Sequence, residues 1–189
     1  MPMTNKLLYL ASTSLLPEGE IDRPVVFLVE PYLTESVKLR LESTGYEVLP
    51  KLWEDEHRLE EGHNYLESSY VTFKEKIGLA LSHIHGVDYP PYFWEISMAS
   101  WLLHFLHTIF DRYHRLKRAI KLYGKENITL FSYREDLKIS MSFLDFMEST
   151  SVIEQSVSAF YGVVAKEMGI PVLEFSSNDG RKGRVFIQE

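Results

Sequence analysis

The chain has 189 residues, a formal net charge of −7 and a pI near 5.5. Its length fits one substantial domain, and 45% hydrophobic with 25% charged residues is a globular composition, not a disordered one. The acidic balance argues against nucleic-acid binding, which needs a basic footprint, and the lack of any cysteine excludes disulfides, thiolate catalysis and cysteine metal sites.

Beside Lys6, the apolar run Leu7–Ala11 is too short for the core of a signal peptide, so a cytoplasmic protein is expected. Lys6–Thr13 reads as a buried strand ending in small hydroxyl residues, and Pro17, Gly19 and Pro24 mark a loop. Val25–Glu30 (VVFLVE) has the β-branched, apolar character of a central parallel strand. Thr34 then caps a short helix carrying Val37, Leu39 and Leu41 and ending at Gly45, before a third strand at Tyr46–Leu49. Trp53–Gly86 is charged and helically periodic, with Gly62 as a point of interruption and Gly86 as its stop.

Asp88-Tyr89-Pro90-Pro91 forms a stiff break, since a residue before proline avoids helical geometry. Tyr92–Tyr123 follows, apolar nearly all round over its first two-thirds. It approaches the roughly 20 residues of a membrane span, yet Glu95, His104 and His107 are costly in lipid, so a helix buried in protein is predicted. Gly124 ends it, Ile128–Ser132 reads as a strand, helices follow at Ser142–Glu148 and Val152–Met168, and Pro171–Phe175 reads as a last strand. The expected layout is therefore a single α/β domain over residues 1–175 with a polar, glycine-rich tail at 176–189. Within it, 6–50 is strand-rich, 53–123 is the long helical part, and 128–175 holds a strand and helices.

Candidate chemistry concentrates on the long helix. Trp101, His104, His107 and Asp111 recur at spacings of three, three and four, so they share one face, with Arg112 beside them. Such a face can orient a sugar hydroxyl: the carboxylate accepts, the guanidinium donates and the indole stacks on the ring. The same residues also fit a plainer reading, as packed histidines and local helix electrostatics. A metal held by His104, His107 and Asp111 has the spacing but no further histidine to complete it. His85, in His83-Ile84-His85-Gly86, is either an acid–base or ligand contact in a loop or a helix-terminal residue favoured by the dipole. Arg112, Arg115, Lys117, Arg118, Lys121 and Lys125 form the basic run of an acidic chain. They fit either contact with anionic lipid and lipid-linked phosphate or simple helix capping. The 13% aromatic share fits a bulky core or a groove lined with flat side chains. Dinucleotide, P-loop, nucleophile-elbow and zincin motifs are absent from the sequence.

Four stretches carry a resemblance: LASTSLLPEGEIDRPVVFLVE, the charged helix leading to ALSHIHGVDY, YFWEISMASWLLHFLHTIFDRYHRLKRAI, and LKISMSFLDFME. In their order and spacing, from about Lys6 to Ile170, the chain resembles the N-terminal region of a family of large transferases from surface-carbohydrate gene clusters. His85-Gly86, the aromatic pair before the long helix, Trp101-Leu102 and Phe110-Asp111-Arg112 are the most specific features.

The resemblance implies a Rossmann-like, mostly parallel open sheet with helical layers, corresponding to the acceptor-side half of a two-domain glycosyltransferase of the GT-B type. The family's chains are much longer, and the nucleotide-sugar donor is expected in a C-terminal domain. No cofactor is expected in this domain itself. Implied partners are a saccharide or lipid-linked acceptor, a chain carrying the donor domain, and peripherally the inner membrane surface. Glu30, His85 and Asp111 are the implied catalytic residues, with Glu30 or His85 as base for the acceptor hydroxyl. Trp94, Trp101, His104 and Arg112 are the implied substrate contacts, Trp101 as a stacking platform and Arg112 paired with Asp111.

The sequence departs from the family pattern at Val29-Glu30-Pro31, where Gly-Glu-Trp is usual and only the glutamate is kept. Phe93 and Glu95 flank Trp94 in place of arginines, and Ser100 replaces a proline. These losses and the short length point to a half that is incomplete as an enzyme alone. The competing expectation is a non-catalytic module that docks on a partner through its aromatic helical surface.

Overall fold

The computed structural model describes residues 7–19, 21–54, 56–134, 143–151 and 153–176. Five short strands form one all-parallel sheet: β1 (Leu8–Ala11), β2 (Val25–Phe27), β3 (Tyr46–Val48), β4 (Ile128–Tyr133) and β5 (Val172–Phe175), in the order β3-β2-β1-β4-β5. Helices α1 (Glu35–Leu41), α2 (Glu56–His85), α3 (Pro91–Tyr123), α4 (Phe143–Ser151) and α5 (Glu154–Glu167) connect them. This is the Rossmann-like α/β architecture expected from the sequence.

The pleat sends alternate side chains to opposite faces. Leu8, Leu10, Val26, Leu28, Ile128 and Leu130 pack under Leu116, Ala119 and Tyr123 of α3 and Tyr161, Val164 and Ala165 of α5. Ala11, Val25, Phe27 and Phe131 face the other way, against Leu41 of α1 and against Leu16 and Ile21 of the β1–β2 connection. That connection has no helix; Arg40 of α1 tacks it down, donating to the carbonyls of Pro17 and Gly19. Each fully buried leucine or phenylalanine contributes about 2 kcal/mol relative to exposure. The two layers therefore explain why runs such as Val25–Leu28 are apolar at every position.

Helices α2 and α3, of 30 and 33 residues, form an antiparallel hairpin that turns at Gly86 (φ 63°) and restarts at Pro91 in the first helical turn. At about 45–50 Å they far exceed the sheet, whose longest strand spans about 20 Å. Gly62 does not interrupt α2. It lies under the Phe110 ring, where a Cβ would come within 3.2 Å of Cε1, and Gly78 lies likewise under Trp94. The glycines are gaps for rings on the opposite helix.

The prediction that the long helix is buried needs correction. Leu116, Ala119 and Tyr123 of its C-terminal half are buried on the sheet, but Tyr92, Ile96 and Leu103 are exposed. Beyond the sheet edge α3 has chiefly α2 beside it, so its outer apolar side chains have no second layer to enter. Among the described residues, no helix is long and apolar enough to cross a membrane. Residues 177–189 of the expected polar tail lie outside those described.

Candidate functional site

In a doubly wound sheet, ligands bind beyond the carboxyl ends of the strands where the winding reverses. Here that point is β1, from which the chain runs first to β2 and β3 and later to β4 and β5 on the other side. A cleft of about 370 Å³ opens there, within the range of small-ligand sites. Ser12, just past β1, and Val29, just past β2, form its floor. His104, His107, Thr108, Asp111 and Arg112 line it from α3, and Val157 and Tyr161 line it from α5.

Asp111 is held from two sides. The Trp53 indole N–H donates to Oδ1 at 2.8 Å, and Arg115 Nε donates to Oδ2 at 2.7 Å. Arg115 also donates through Nη1 to the Leu28 carbonyl at 3.0 Å, tying the carboxylate to the end of β2. Burial works against the Arg115 charge, but the hydrogen bond and charge of Asp111 outweigh it and raise its pKa. The ion pair of Asp111 is thus with Arg115 one turn on.

Arg112 turns inward instead. It is 6% exposed, donates to the Thr108 carbonyl, and lies over the Phe160 and Tyr161 rings at 4.7 and 5.1 Å from their centroids. Burial lowers its pKa, partly offset by Tyr161 and Asp111. The Tyr161 phenol is pushed well up, first by burial and then by the Asp111 charge, so it stays protonated. His104 packs edge-on to Phe146, and burial, followed by the charges of Arg112 and His107, lowers its pKa and favours a neutral imidazole. The Ser12 hydroxyl is buried with no hydrogen-bond partner among the described residues.

Of the residues singled out from sequence, the fold brings His104, His107, Asp111 and Arg112 into one cleft. Glu30 is exposed, one residue beyond the lining Val29. Trp101, 37% exposed, stacks on Phe105 with ring centroids 5.1 Å apart and also meets Phe146, roughly 15 Å along the helix from Asp111. His85 and Trp94 stack on each other at the hairpin tip, roughly 25 Å along α3 from Asp111, where the Trp94 indole donates to Ser82. The basic run does not form one outward stripe: Arg112 lines the cleft and Arg115 bonds Asp111 and the Leu28 carbonyl, while Lys117, Lys121 and Lys125 face solvent. Although His104, His107 and Asp111 share the cleft, no three described His, Cys, Asp or Glu residues are grouped to hold a metal ion.

Sequence reasoning missed Ser12, Thr108, Val157, Tyr161 and Trp53. Ser12 had a signal, a small hydroxyl residue closing the first strand of a parallel sheet. Trp53 had none, being 58 positions from its partner.

The match to a family model starts in β1 and ends in α5, over residues 9–158, and so includes every cleft-lining residue except Tyr161. The chain belongs to the LIC12162 family of transferases. No curated protein and no solved structure matches it.

Proposed function

We propose that this chain is the acceptor-side domain of a glycosyltransferase of surface polysaccharide synthesis, binding a saccharide or lipid-linked saccharide in the cleft. The observation that carries this reading is the position of the Asp111 carboxylate, fixed by Trp53 and Arg115, at the switch point of a parallel sheet. A fixed carboxylate accepts hydrogen bonds from sugar hydroxyls, and the Ser12 hydroxyl and the protonated Tyr161 phenol complement it as donors. In transfer, the acceptor oxygen forms a bond to the anomeric carbon as the glycosyl–phosphate bond breaks, and the hydroxyl proton passes to a base. His107 in the cleft wall and Glu30 at its rim are the bases closest to hand. The donor nucleotide would come from a second domain, because positioning across one cleft and stabilisation of the leaving diphosphate supply most of the rate.

Calorimetry with UDP, GDP, CMP and their sugars tests the division of labour. The expected result is no binding to this domain. Micromolar binding that disappears in Asp111→Ala would make the cleft a donor site and overturn the assignment.

A second reading is favoured by a different observation. Leu79, Ile84, Tyr92 and Ile96 are each more than 60% exposed at the outer end of the α2–α3 hairpin. Exposed apolar groups gathered in one region mark interaction surfaces. In this reading the hairpin docks on a partner chain, such as one that carries the donor domain. Crosslinking from Ile96→Cys in cells would test it, the expected product being an adduct with a single partner chain.

A further inference from the structure

We infer that Trp53 is a positioning residue for the cleft, acting through Asp111 to make it select ligands that present a hydroxyl donor. This rests on the reading of the cleft as a saccharide site. Trp53 lies in the β3–α2 connection and does not line the cleft. Its ring is clamped over Phe110, with centroids 5.6 Å apart and planes 16° from parallel, and tilts against His114 at 5.8 Å. Phe110 is itself seated on Gly62 and stacked on Tyr65, so the indole is fixed by α2 and α3 together.

That clamp aims the indole N–H at Asp111 Oδ1, while Arg115, anchored on the Leu28 carbonyl, takes Oδ2. One donor on each oxygen fixes the orientation of the carboxylate. A carboxylate offers about four lone-pair positions, so each oxygen keeps one for a ligand. As a carboxylate, Asp111 can only accept at those positions. A sugar hydroxyl fits this demand, and a carboxylate or phosphate placed at the same point would be repelled.

The test uses the full chain labelled with 15N-tryptophan, titrated with methyl glycosides of glucose, galactose, mannose and N-acetylglucosamine. At least one glycoside should shift the Trp53 indole N–H resonance and leave that of Trp94, bonded to Ser82 at the hairpin tip, in place. Trp53→Phe keeps an aromatic ring for Phe110 and removes the donor, so it should bind that glycoside about tenfold more weakly. Asp111→Asn should abolish binding.

Wild-type affinity in Trp53→Phe, with loss in Asp111→Asn, would overturn the positioning role and spare the cleft. Wild-type affinity in Asp111→Asn would overturn the cleft reading itself, as would a wild-type chain that binds none of the glycosides. Should Trp53→Phe not fold, the wild-type titration still decides: binding that leaves the Trp53 resonance unmoved contradicts the inference. A uronate that binds as tightly as its neutral parent contradicts the hydroxyl selection.

Discussion

Gly162 of α5 faces Ser132 of β4 at a separation that leaves no room for a side chain. A Cβ on Gly162 would stand 2.8 Å from the Ser132 Cβ and closer still to its Oγ. The same approach lets the Ser158 hydroxyl accept the Tyr133 backbone N–H at 2.9 Å, so α5 is bonded to the end of β4. Tyr161 and Val157, which wall the cleft, ride on this helix. Gly162→Ala should therefore cost about 2–3 kcal/mol through overpacking. That lowers the melting temperature by about 4–12 °C for a chain of this size. Adding Ser132→Gly should recover most of the loss; a double variant no more stable than Gly162→Ala would remove the steric explanation.

The Asp111 network should be visible as stability as well as binding. Asp111→Ala strips Trp53 and the partly buried Arg115 of their acceptor, which costs about 2 kcal/mol. Asp111→Asn keeps one acceptor oxygen and should cost less than half as much. Urea denaturation of the two variants distinguishes these outcomes, and equal losses would mean that the network adds nothing beyond packing.

Mild acid should weaken the fold before the carboxylates titrate. Burial lowers the pKa of His104 and of His114 below the ordinary 6.5, with Arg112 adding to the effect at the first and Lys117 at the second. Above pH 6.5 both imidazoles are neutral, folded or unfolded, and the stability is fully present. As the pH falls below 6.5 the unfolded chain takes up protons first, so stability drops until the lowered native values are passed. Melting curves between pH 8 and pH 5 should show this decline, and His104→Gln with His114→Gln should flatten it. An unchanged slope in the double variant would assign the decline to other groups.

The outer hairpin should tolerate polar substitution. Ile96 and Leu79 are 78% and 74% exposed, so Ile96→Ser with Leu79→Ser should change stability by only about 0.5 kcal/mol per site. Any self-association seen by sedimentation should decrease. A loss above about 2 kcal/mol would mean that these side chains are covered in solution.

How much of this was legible depends on the distance over which the determining contact acts. The strand at Val25–Phe27 declares itself because both sheet faces are covered, leaving an unbroken apolar run, and Ile128–Tyr133 does so through Ile128, Leu130 and Phe131. Gly86 and Gly124 mark helix ends correctly because their positive φ is a local property. Gly62 misleads because its role depends on Phe110, 48 positions away on another helix, while locally it looks like a break. The predicted face of His104, His107 and Asp111 does line the cleft, since helical spacing alone sets it. Trp101 shares that spacing but lies farther out, where Phe146 takes it up. Apolar density on α3 reads as burial, yet burial also requires a covering layer, and the sheet is too short to provide one.

The central claim, that the Asp111 cleft binds a saccharide acceptor, is tested most directly on a glycan array probed with the wild-type chain and with Asp111→Asn at matched folded concentration. The account predicts that the wild-type chain retains a defined set of oligosaccharides and that Asp111→Asn loses all of them. Retention of the same set by Asp111→Asn would contradict it.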